Sequence, residues 1–357
     1  MAYDIAIIGA GPAGATLARL LPKYYRILLL DRRDLIDREN ERGKCCGGLL
    51  APDAQEMLGK MGLAVPVDCL VDPQIFMVKV IDFDNYLERF YQRFYFNLDR
   101  QRFDQWLLSI IPDNVDIALG CRFTSLSETK EGYEIAFMYG NRIFTEKVRI
   151  IVGADGAWSN VRQQLFNEND KLKKYIAIQE WFDTTEKIPY YGAVFDSTVT
   201  DFYSWIISKN QQLIIGSALD PNKEAKEKFE LLKKNLREYG FKFGQPVRRE
   251  GSYLIRPGKN DIITGNEHAA LIGEAGGFIS PSSAEGISFA LKSAYYLAES
   301  LANGMDGFQK RYRKNVAPLV RAIARKRWKI PGMYNRVLRA AILKTGVLSS
   351  ENLFHED

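Results

Sequence analysis

The sequence predicts an α/β fold in which a second, mostly antiparallel sheet is inserted into a first domain built on a parallel sheet. Three observations lead to this prediction. An apolar run ends in a glycine-rich turn over residues 5–14, and a helical pattern follows it. Strand-like segments dominate residues 174–260, and another apolar strand with a glycine turn returns at residues 269–277. The chain is therefore expected to leave the first domain and come back to it.

The glycine-rich turn has the spacing of a dinucleotide-binding turn, which predicts a Rossmann-like first domain. Gly9 allows a tight turn, Gly11 lets the backbone approach a pyrophosphate, and Gly14 lets the helix pack closely on the strand. The helix N-terminus adds free N–H groups and a positive dipole end for phosphates. An ordinary glycine-rich turn is the alternative interpretation. The candidate pyrophosphate-binding residues are Gly9, Gly11, Pro12, Ala13 and Gly14.

A second apolar strand, residues 26–30, ends in an acid. Asp31 follows Gly11 by 20 residues, and an acid at that spacing can accept hydrogen bonds from a ribose diol. Its carboxylate would repel a 2′-phosphate, so this site is expected to exclude NADP. Arg32 belongs to the same candidate nucleotide site, and residues 32–44 are expected to form a charged, solvated loop.

Composition argues against several classes of protein. With 357 residues, 46% of them apolar, the chain has room for two domains and a large core. Four cysteines without zinc spacing or a C-x-x-C pair indicate a reduced, cytoplasmic protein. Two histidines argue against a histidine triad, and no metal site is expected. Neither a signal peptide nor a membrane span is predicted, and a net charge of +5 does not indicate a nucleic-acid partner.

Two cysteines and two glycines follow the charged loop, within residues 44–50. Gly47 and Gly48 mark another close approach of the backbone, directly after Cys46. The alternative interpretation of this segment is an ordinary turn that buries two small thiols. A helix is expected next, over residues 51–61.

An arginine stands in an unusual place in the following segment. Residues 73–95 are expected to form strands, and residues 97–108 a helix capped by Asp99. Arg100 lies in the first turn of that helix, where the dipole disfavours a cation. It therefore either faces a phosphate or ribose or is simply an exposed arginine.

Two later turns complete the first domain. Strands are predicted at residues 115–123, 132–139 and 144–152. The last strand runs into Gly153-Ala154-Asp155-Gly156, which places Asp155 at a carboxyl end, where open α/β sheets bind ligands. A turn containing Gly273 and Glu274 precedes a long helix over residues 287–301.

The inserted segment is rich in aromatic residues. Strands are expected at residues 175–182, 191–195, 202–208 and 212–218, and a charged helix at residues 222–239. Packing in the sheet accounts for most of the aromatic residues, but a cluster of this size, with Tyr203 and Trp205 among them, can also line an apolar pocket.

The final segment, residues 308–348, is basic and helical. Pro318 and Pro331 are expected to break or start its helices. One interpretation is a cap on the core with a solvated basic face. The alternative is peripheral contact with an anionic membrane surface, at the inner face of the membrane.

Together these motifs resemble a known fold. The turn at residues 9–14, Gly153-Ala154-Asp155-Gly156 with Ser159 and Arg162, and the turn at residues 273–276 are similar to the p-hydroxybenzoate hydroxylase-type FAD fold. Residues 44–50 and 203–209 resemble its geranylgeranyl reductase branch. Two positions depart from that branch: Glu274 stands where aspartate is usual, and Ile207-Ser208-Lys209 lacks the Phe-Pro of the family.

The resemblance implies FAD as the cofactor and assigns roles to individual residues. Arg100 would contact the pyrophosphate or ribose, and Glu274 the ribityl or pyrophosphate region. The helix N-terminus at Gly286 and Ile287 would point at the flavin and favour negative charge there. The candidate catalytic residues are Cys46, Tyr203 and Trp205. The candidate cofactor-binding residues are the five of the first turn with Asp31, Arg32, Cys46, Gly47, Gly48, Arg100, Asp155, Gly273, Glu274, Gly286 and Ile287.

The implied function is an FAD-dependent reductase of a hydrophobic, prenyl-like small molecule. A flavin-dependent monooxygenase of an aromatic or apolar molecule is the alternative, and a non-catalytic flavin-binding protein is a third. No second dinucleotide motif is found, so reduction is expected either from NAD(P)H as a transient reductant or from a protein or small-molecule donor, and no specific protein partner is predicted. The expected division is residues 1–72, 97–165 and 262–305 for the FAD-binding domain, 73–96 and 166–261 for the substrate domain, and 306–357 for the basic helical segment.

Overall fold

The structure, a computed structural model, describes residues 3–36, 44–167 and 172–346. Most of the predicted charged loop, residues 37–43, and the last residues of the basic segment, 347–357, lie outside the described residues. In the part of the chain that is described, no helix combines the length and apolarity needed to cross a bilayer.

The described residues form two sheets with helices around them. The strands are β1 (Tyr3–Ile8), β2 (Ile27–Leu30), β3 (Leu49–Leu50), β4 (Ile75–Asp82), β5 (Leu87–Asn97), β6 (Val115–Ala118), β7 (Cys121–Thr129), β8 (Gly132–Tyr139), β9 (Arg142–Gly153), β10 (Lys174–Asp183), β11 (Tyr191–Phe195), β12 (Ser204–Lys209), β13 (Gln212–Leu219), β14 (Arg248–Ile255), β15 (Gly265–Asn266) and β16 (Ala269–Leu271). The helices are α1 (Pro12–Leu20), α2 (Pro52–Lys60), α3 (Arg100–Ser109), α4 (Asn160–Phe166), α5 (Ala225–Tyr239), α6 (Ile287–Ala302), α7 (Phe308–Arg327), α8 (Ile330–Tyr334) and α9 (Arg336–Thr345).

The first sheet has the order β15-β16-β9-β1-β2-β6, and its central pairs are parallel. Successive side chains of a strand point to opposite faces, and both faces of β1 are buried. Ile5 and Ile7 pack in the core that α1, α3, α6 and α7 cover. Ala6 and Ile8 pack on the other side, against the antiparallel ribbon of β7, β8 and β9.

The second sheet has the order β14-β10-β13-β12-β11-β4-β5-β3 and is antiparallel except where β11 pairs with β4. One face packs against α5 through Phe229, Leu232 and Leu236. The opposite face carries Trp205 and Ile207 and packs against residues of other segments, including Cys45, Ala284 and Tyr334. These elements confirm the predicted fold class, whereas the residue division between the domains stays a prediction.

Three predictions about elements are wrong or incomplete. The single strand expected at residues 115–123 is two strands, β6 and β7, because Gly120 turns the chain with φ +65°. Strand β14 was not predicted, since it begins with charged residues and depends on pairing with β10. Pro318 lies inside α7 and does not break it. The buried residues Val316, Leu319 and Ile323 keep that helix packed although one backbone hydrogen bond is lost.

Two local predictions are confirmed. The Asp99 side chain caps α3 by accepting hydrogen bonds from the backbone N–H groups of Gln101 and Arg102. Pro331 lies in the first turn of α8, where its missing N–H has no helical partner to lose.

Candidate functional site

The glycine-rich turn joins β1 to α1 and leaves open space at one position. Gly9 has φ +108°, and a Cβ there would lie 2.5 Å from the carbonyl oxygen of Ala154. A Cβ on Gly14 would overlap the carbonyl oxygen of Gly9. A Cβ on Gly11 would meet none of the described atoms within 4 Å. Because the first turn of α1, which begins at Pro12 and Ala13, has N–H groups without helical partners, the space over Gly11 fits a phosphate.

Asp31 binds this turn from the end of β2. Its Oδ2 accepts a hydrogen bond from the backbone N–H of Ala10 at 2.8 Å, and its Oδ1 accepts one from the N–H of Arg33 at 2.8 Å. The Arg33 guanidinium also pairs with the carboxylate, whereas Arg32 is exposed. A carboxylate oxygen can accept more than one hydrogen bond, so a ribose hydroxyl could share it. The predicted ribose contact stays a prediction.

Asp155 follows β9, whose last residue, Gly153, pairs with both β1 and β16. Its carboxylate accepts hydrogen bonds from Ser159 Oγ at 2.5 Å and from the Val161 N–H at 3.3 Å, at the start of α4. Burial raises the pKa of Asp155 to about 6, although these hydrogen bonds oppose the rise. The contacts make Asp155 a local support of the α4 N-terminus, and nothing tests the predicted cofactor contact.

Arg162 connects the two later turns of the first domain. The buried guanidinium donates to the carbonyl oxygens of Ala275 at 3.2 Å and Asp261 at 2.8 Å. In the neighbouring turn, a Cβ on Gly273 would lie 3.0 Å from the Cβ of Ala13 and 3.7 Å from that of Ala290. Gly273 therefore brings the start of α1 and the first turns of α6 together.

Helix α6 begins next to this contact, with Gly286 as its N-cap residue and Ile287 as its first residue. In its first turn the Ser288 hydroxyl is buried and has no hydrogen-bond partner among the described residues. The segment before the helix is held from the second sheet, because Tyr203 Oη donates to the carbonyl oxygen of Ser283 at 2.7 Å. The open space at the first turn, the free helix N-termini and this unpartnered hydroxyl fit a bound dinucleotide.

Glu274 contacts protein groups through both carboxylate oxygens. Its Oε1 accepts a hydrogen bond from the Ile255 N–H at 3.0 Å, and its Oε2 pairs with Lys44 Nζ at 3.0 Å. Glu274 thus links the first domain both to the end of β14 and to the segment that contains the adjacent cysteines. Its predicted contact with the ribityl region stays a prediction.

The cysteine–glycine segment lies directly against β12. A Cβ on Gly47 would lie 2.6 Å from Ile207 Cδ1, and Gly48, with φ +62°, has no room for one beside the carbonyl oxygen of Leu98. Both glycines are therefore needed for close packing. The two thiols differ, because Cys45 is buried while Cys46 is half-buried. Burial raises the pKa of the Cys45 thiol above its ordinary value.

Lys209 ends β12 and is the residue that sequence reasoning left out of the candidate site. Only 4% of its surface is exposed. Its Nζ donates to Leu98 O at 2.6 Å, Asn97 Oδ1 at 2.7 Å and Gly48 O at 3.5 Å. Burial lowers the pKa of Lys209 to about 7. The sequence feature that could have identified Lys209 is the alternation of side chains along β12, which places Lys209 on the same face as Trp205.

Arg100 lies near the same place, so the alternative of an exposed arginine is wrong, while its predicted contact with the pyrophosphate or ribose stays a prediction. Its guanidinium pairs with the buried carboxylate of Asp104, with Nε–Oδ1 at 2.7 Å. Burial by itself would lower the pKa of Arg100. The Asp104 carboxylate, and after it the Cys46 side chain that hydrogen-bonds to Arg100, outweigh burial, so the pKa of Arg100 is raised above its ordinary value. Cys46, Arg100 and Lys209 are therefore neighbours, although they come from three separate segments.

Tyr203 and Trp205 form part of the apolar face of the second sheet. Trp205 is buried, and its Nε1 donates to Gln179 Oε1 at 3.1 Å. The Tyr203 and Trp205 rings are 6.0 Å apart. Burial raises the pKa of the Tyr203 phenol above its ordinary value. Both side chains therefore have fixed orientations, and Tyr203 is a neutral hydrogen-bond donor near neutral pH.

Comparison with known proteins gives results that agree with this geometry. The family model described as "FAD binding domain" matches residues 2–227. Protein CbrA of Escherichia coli O6:H1 is 38% identical over 346 residues, covering 97% of this chain and 94% of CbrA. A geranylgeranyl bacteriochlorophyll reductase-like protein from Thermoplasma acidophilum has a similar structure, with a TM-score of 0.77 and 18% identity over 95% of this chain and 90% of its own. PqsL, a probable FAD-dependent monooxygenase from Pseudomonas aeruginosa, has a TM-score of 0.69 and 18% identity over 96% of this chain and 99% of its own.

Proposed function

This chain belongs to the FAD-binding domain family of FAD-dependent oxidoreductases, and from that premise we propose that it reduces an apolar, prenyl-like small molecule. One observation carries the proposal. The segment with Cys46 lies between the nucleotide-binding turns, which it reaches through Lys44 and Glu274, and the aromatic face of the second sheet, where Gly47 contacts Ile207. A substrate on that face would be adjacent to the cofactor-binding residues.

The first domain supplies the groups that would hold FAD. The first turn of α1 offers N–H groups to the pyrophosphate, and the carboxylate of Asp31 can accept a ribose hydroxyl. The N-terminus of α6, at Ile287, adds a positive dipole end. Bound FAD supplies two-electron redox chemistry, and the protein supplies position and electrostatic field.

The remaining candidate residues would line the part of the site that binds the substrate. Cys46 is held by a hydrogen bond from the Gly48 N–H to its sulfur at 3.4 Å, and the side chains of Arg100 and Lys209 lie near it. We assign Cys46 a role in positioning the substrate at the reacting centre. Trp205, Tyr203 and their apolar neighbours exclude water from the same surface.

The test begins with the visible spectrum of the purified protein and an anaerobic titration with NADH and NADPH. We expect a flavin spectrum that one of the two nucleotides bleaches, because we propose NAD(P)H as a transient reductant. Screening of unsaturated prenyl compounds would then give a product with added hydrogen. A protein that lacks flavin and cannot be reconstituted with FAD would contradict the assignment.

The same assay separates the reductase from a monooxygenase. An aromatic-lined face such as that around Trp205 also suits an aromatic molecule. Oxygen consumption that is coupled to a hydroxylated product would therefore favour the monooxygenase. Reduction of a prenyl compound without oxygen would favour the reductase.

A further inference from the structure

Helix α9 exposes an apolar stripe. Val337 is 74% exposed, and Leu338 and Ile342 are each 48% exposed. At 100° per residue these three side chains lie on one face of the helix, while the buried Arg339 and Leu343 lie on the opposite face. The helix therefore presents one face to the core and an apolar face to the solvent, which the hydrophobic effect alone disfavours.

The C-terminal segment that contains this stripe also carries exposed basic residues and an exposed tryptophan. Trp328, between α7 and α8, is 86% exposed. The chain has no aspartate or glutamate between Phe308 and Gly346. Several of the lysines and arginines there are exposed, namely Arg321, Arg325, Lys329, Arg336 and Lys344. We call Trp328, Val337, Leu338, Ile342 and these five basic residues the C-terminal surface.

The C-terminal surface is attached rigidly to the second sheet. The Arg339 guanidinium donates to both carboxylate oxygens of Asp82 at 2.8 Å and to Asp84 at 2.6 Å, and all three side chains are buried. On α8, Tyr334 Oη donates to the carbonyl oxygen of Ser282 at 2.6 Å. These contacts fix the orientation of the exposed stripe.

The same helices reach the aromatic face that the substrate would occupy. The Tyr334 ring lies 5.4 Å from that of Phe202 and 5.7 Å from that of Phe195, and the Arg256 guanidinium lies 4.3 Å from its centre. Tyr334 also packs in the cluster that contains Trp205. The exposed stripe on α9 therefore begins only a few residues from a side chain of the apolar face.

We propose that the C-terminal surface binds an anionic phospholipid bilayer, and that the apolar substrate is taken up from that bilayer. Lysine and arginine side chains are attracted to anionic headgroups. Tryptophan and aliphatic side chains on a basic helix enter the boundary between headgroups and acyl chains. The uptake of substrate rests on the proposed function, whereas binding to lipid does not.

A second copy of the chain fits this surface poorly. In a two-fold contact the same residues meet on both sides. The C-terminal surface contains basic residues and no acid, so Arg336 and Lys344 would face other cations. An anionic bilayer has the complementary charge.

The test is co-sedimentation of the FAD-loaded protein with vesicles at about 0.1 M salt. Vesicles of phosphatidylcholine are compared with vesicles that also contain phosphatidylglycerol. We expect partitioning onto the anionic vesicles to be about tenfold stronger or more, and to fall as the salt concentration rises. Equal binding to both vesicles, or none, would overturn the proposal.

Two variants make the test specific to this surface. The double substitution Val337→Gln and Ile342→Gln should lower vesicle binding about tenfold while the flavin spectrum stays unchanged. Val67→Gln is the matched control, since Val67 is 81% exposed but lies outside the C-terminal surface. A dimer in size-exclusion chromatography that the double variant abolishes would instead identify a self-interface and overturn the proposal. Sedimentation measures binding and not turnover. A lack of vesicle binding would therefore leave the proposed reductase activity untouched, and a lack of reductase activity would leave the proposed lipid binding untouched.

Discussion

At the scale of single residues, the adjacent thiols of Cys45 and Cys46 differ in burial and in the side chains around them. Cys45 is buried, and its sulfur lies 3.8 Å from the carbonyl oxygen of Ala177. Cys46 is half-buried and adjacent to Arg100 and Lys209. The local pattern could not separate the two adjacent thiols, and only the family resemblance favoured Cys46, because which side chain faces the site depends on how the segment packs against β12.

Replacing Cys46 should therefore affect catalysis more than folding. Cys46→Ala should retain FAD and lower turnover on the order of tenfold, because a side chain that positions the substrate at the reacting centre is lost. Cys45→Ala is the matched control and should keep turnover within about twofold while losing about 1 kcal/mol of stability. The flavin spectrum and steady-state kinetics of both variants measure this. Unchanged kinetics in Cys46→Ala would refute the role.

Lys209 predicts a pH dependence of stability. Burial puts its pKa at about 7, below its ordinary value of 10.5. Between these values the folded protein holds the neutral amine and the unfolded chain the ammonium, so the unfolded state binds more protons. The free energy of unfolding then rises with pH through this window. Cys46 and Asp99 oppose the shift by favouring the ammonium.

The variant Lys209→Met removes this titration. The free energy of unfolding of the unmodified protein minus that of the variant should rise between about pH 7 and 10, by up to about 1.4 kcal/mol per pH unit. Urea unfolding at several pH values measures the difference. The exposed Lys23, changed to Met, is the control for the loss of a lysine at the surface. A constant difference for Lys209→Met would mean that the ammonium persists in the fold.

At the scale of elements, the segment before β3 depends on a glycine that local sequence rules only partly explain. Gly48 has φ +62°, and a Cβ there would overlap the Leu98 carbonyl oxygen and lie 2.7 Å from Lys209 Nζ. The sequence indicated a close approach of the backbone. The partners of that approach, the end of β5 and the end of β12, are about 50 and 160 residues away in the chain, so no local pattern could identify them.

Gly48→Ala should consequently be costly. We expect a loss of about 2–4 kcal/mol in the free energy of unfolding, because strain from the positive φ adds to the overlap. Gly59→Ala is the control: this glycine lies in α2, and no described atom would come within 4 Å of its Cβ. The free energy of unfolding of Gly59→Ala should rise by up to about 1 kcal/mol, because alanine has a higher helix propensity than glycine. Urea unfolding compares the two, and similar effects at both sites would contradict the packing explanation.

At the scale of the whole molecule, the C-terminal helices are joined to the second sheet by a buried ion pair. Arg339 of α9 pairs with Asp82, at the end of β4, and with Asp84. Removing one partner of such a group leaves buried charge uncompensated. The attachment was not predictable, since the basic segment contains many arginines and nothing in its pattern distinguishes Arg339 from the exposed Arg336.

Arg339→Met should destabilise the protein by about 3–5 kcal/mol. It should also make the C-terminal helices more sensitive to limited proteolysis. Arg336→Met, three residues away and exposed, should change the free energy of unfolding by no more than about 0.5 kcal/mol. Unfolding curves and proteolysis time courses test the pair, and equal behaviour of the two variants would disprove the attachment.

Local patterns were enough to predict the fold class, most of the strands and helices, and the dinucleotide-binding turn, because glycine spacing, apolar periodicity and helix caps act within a few residues. The burial of Arg100 against Asp104, the pairing of Glu274 with Lys44 and the proximity of Lys209 to Cys46 became visible only in the folded chain. All of these contacts except the helical Arg100–Asp104 pair join segments that are distant in the chain. Charge pairing and desolvation follow from the packed arrangement of two sheets, which no local pattern encodes.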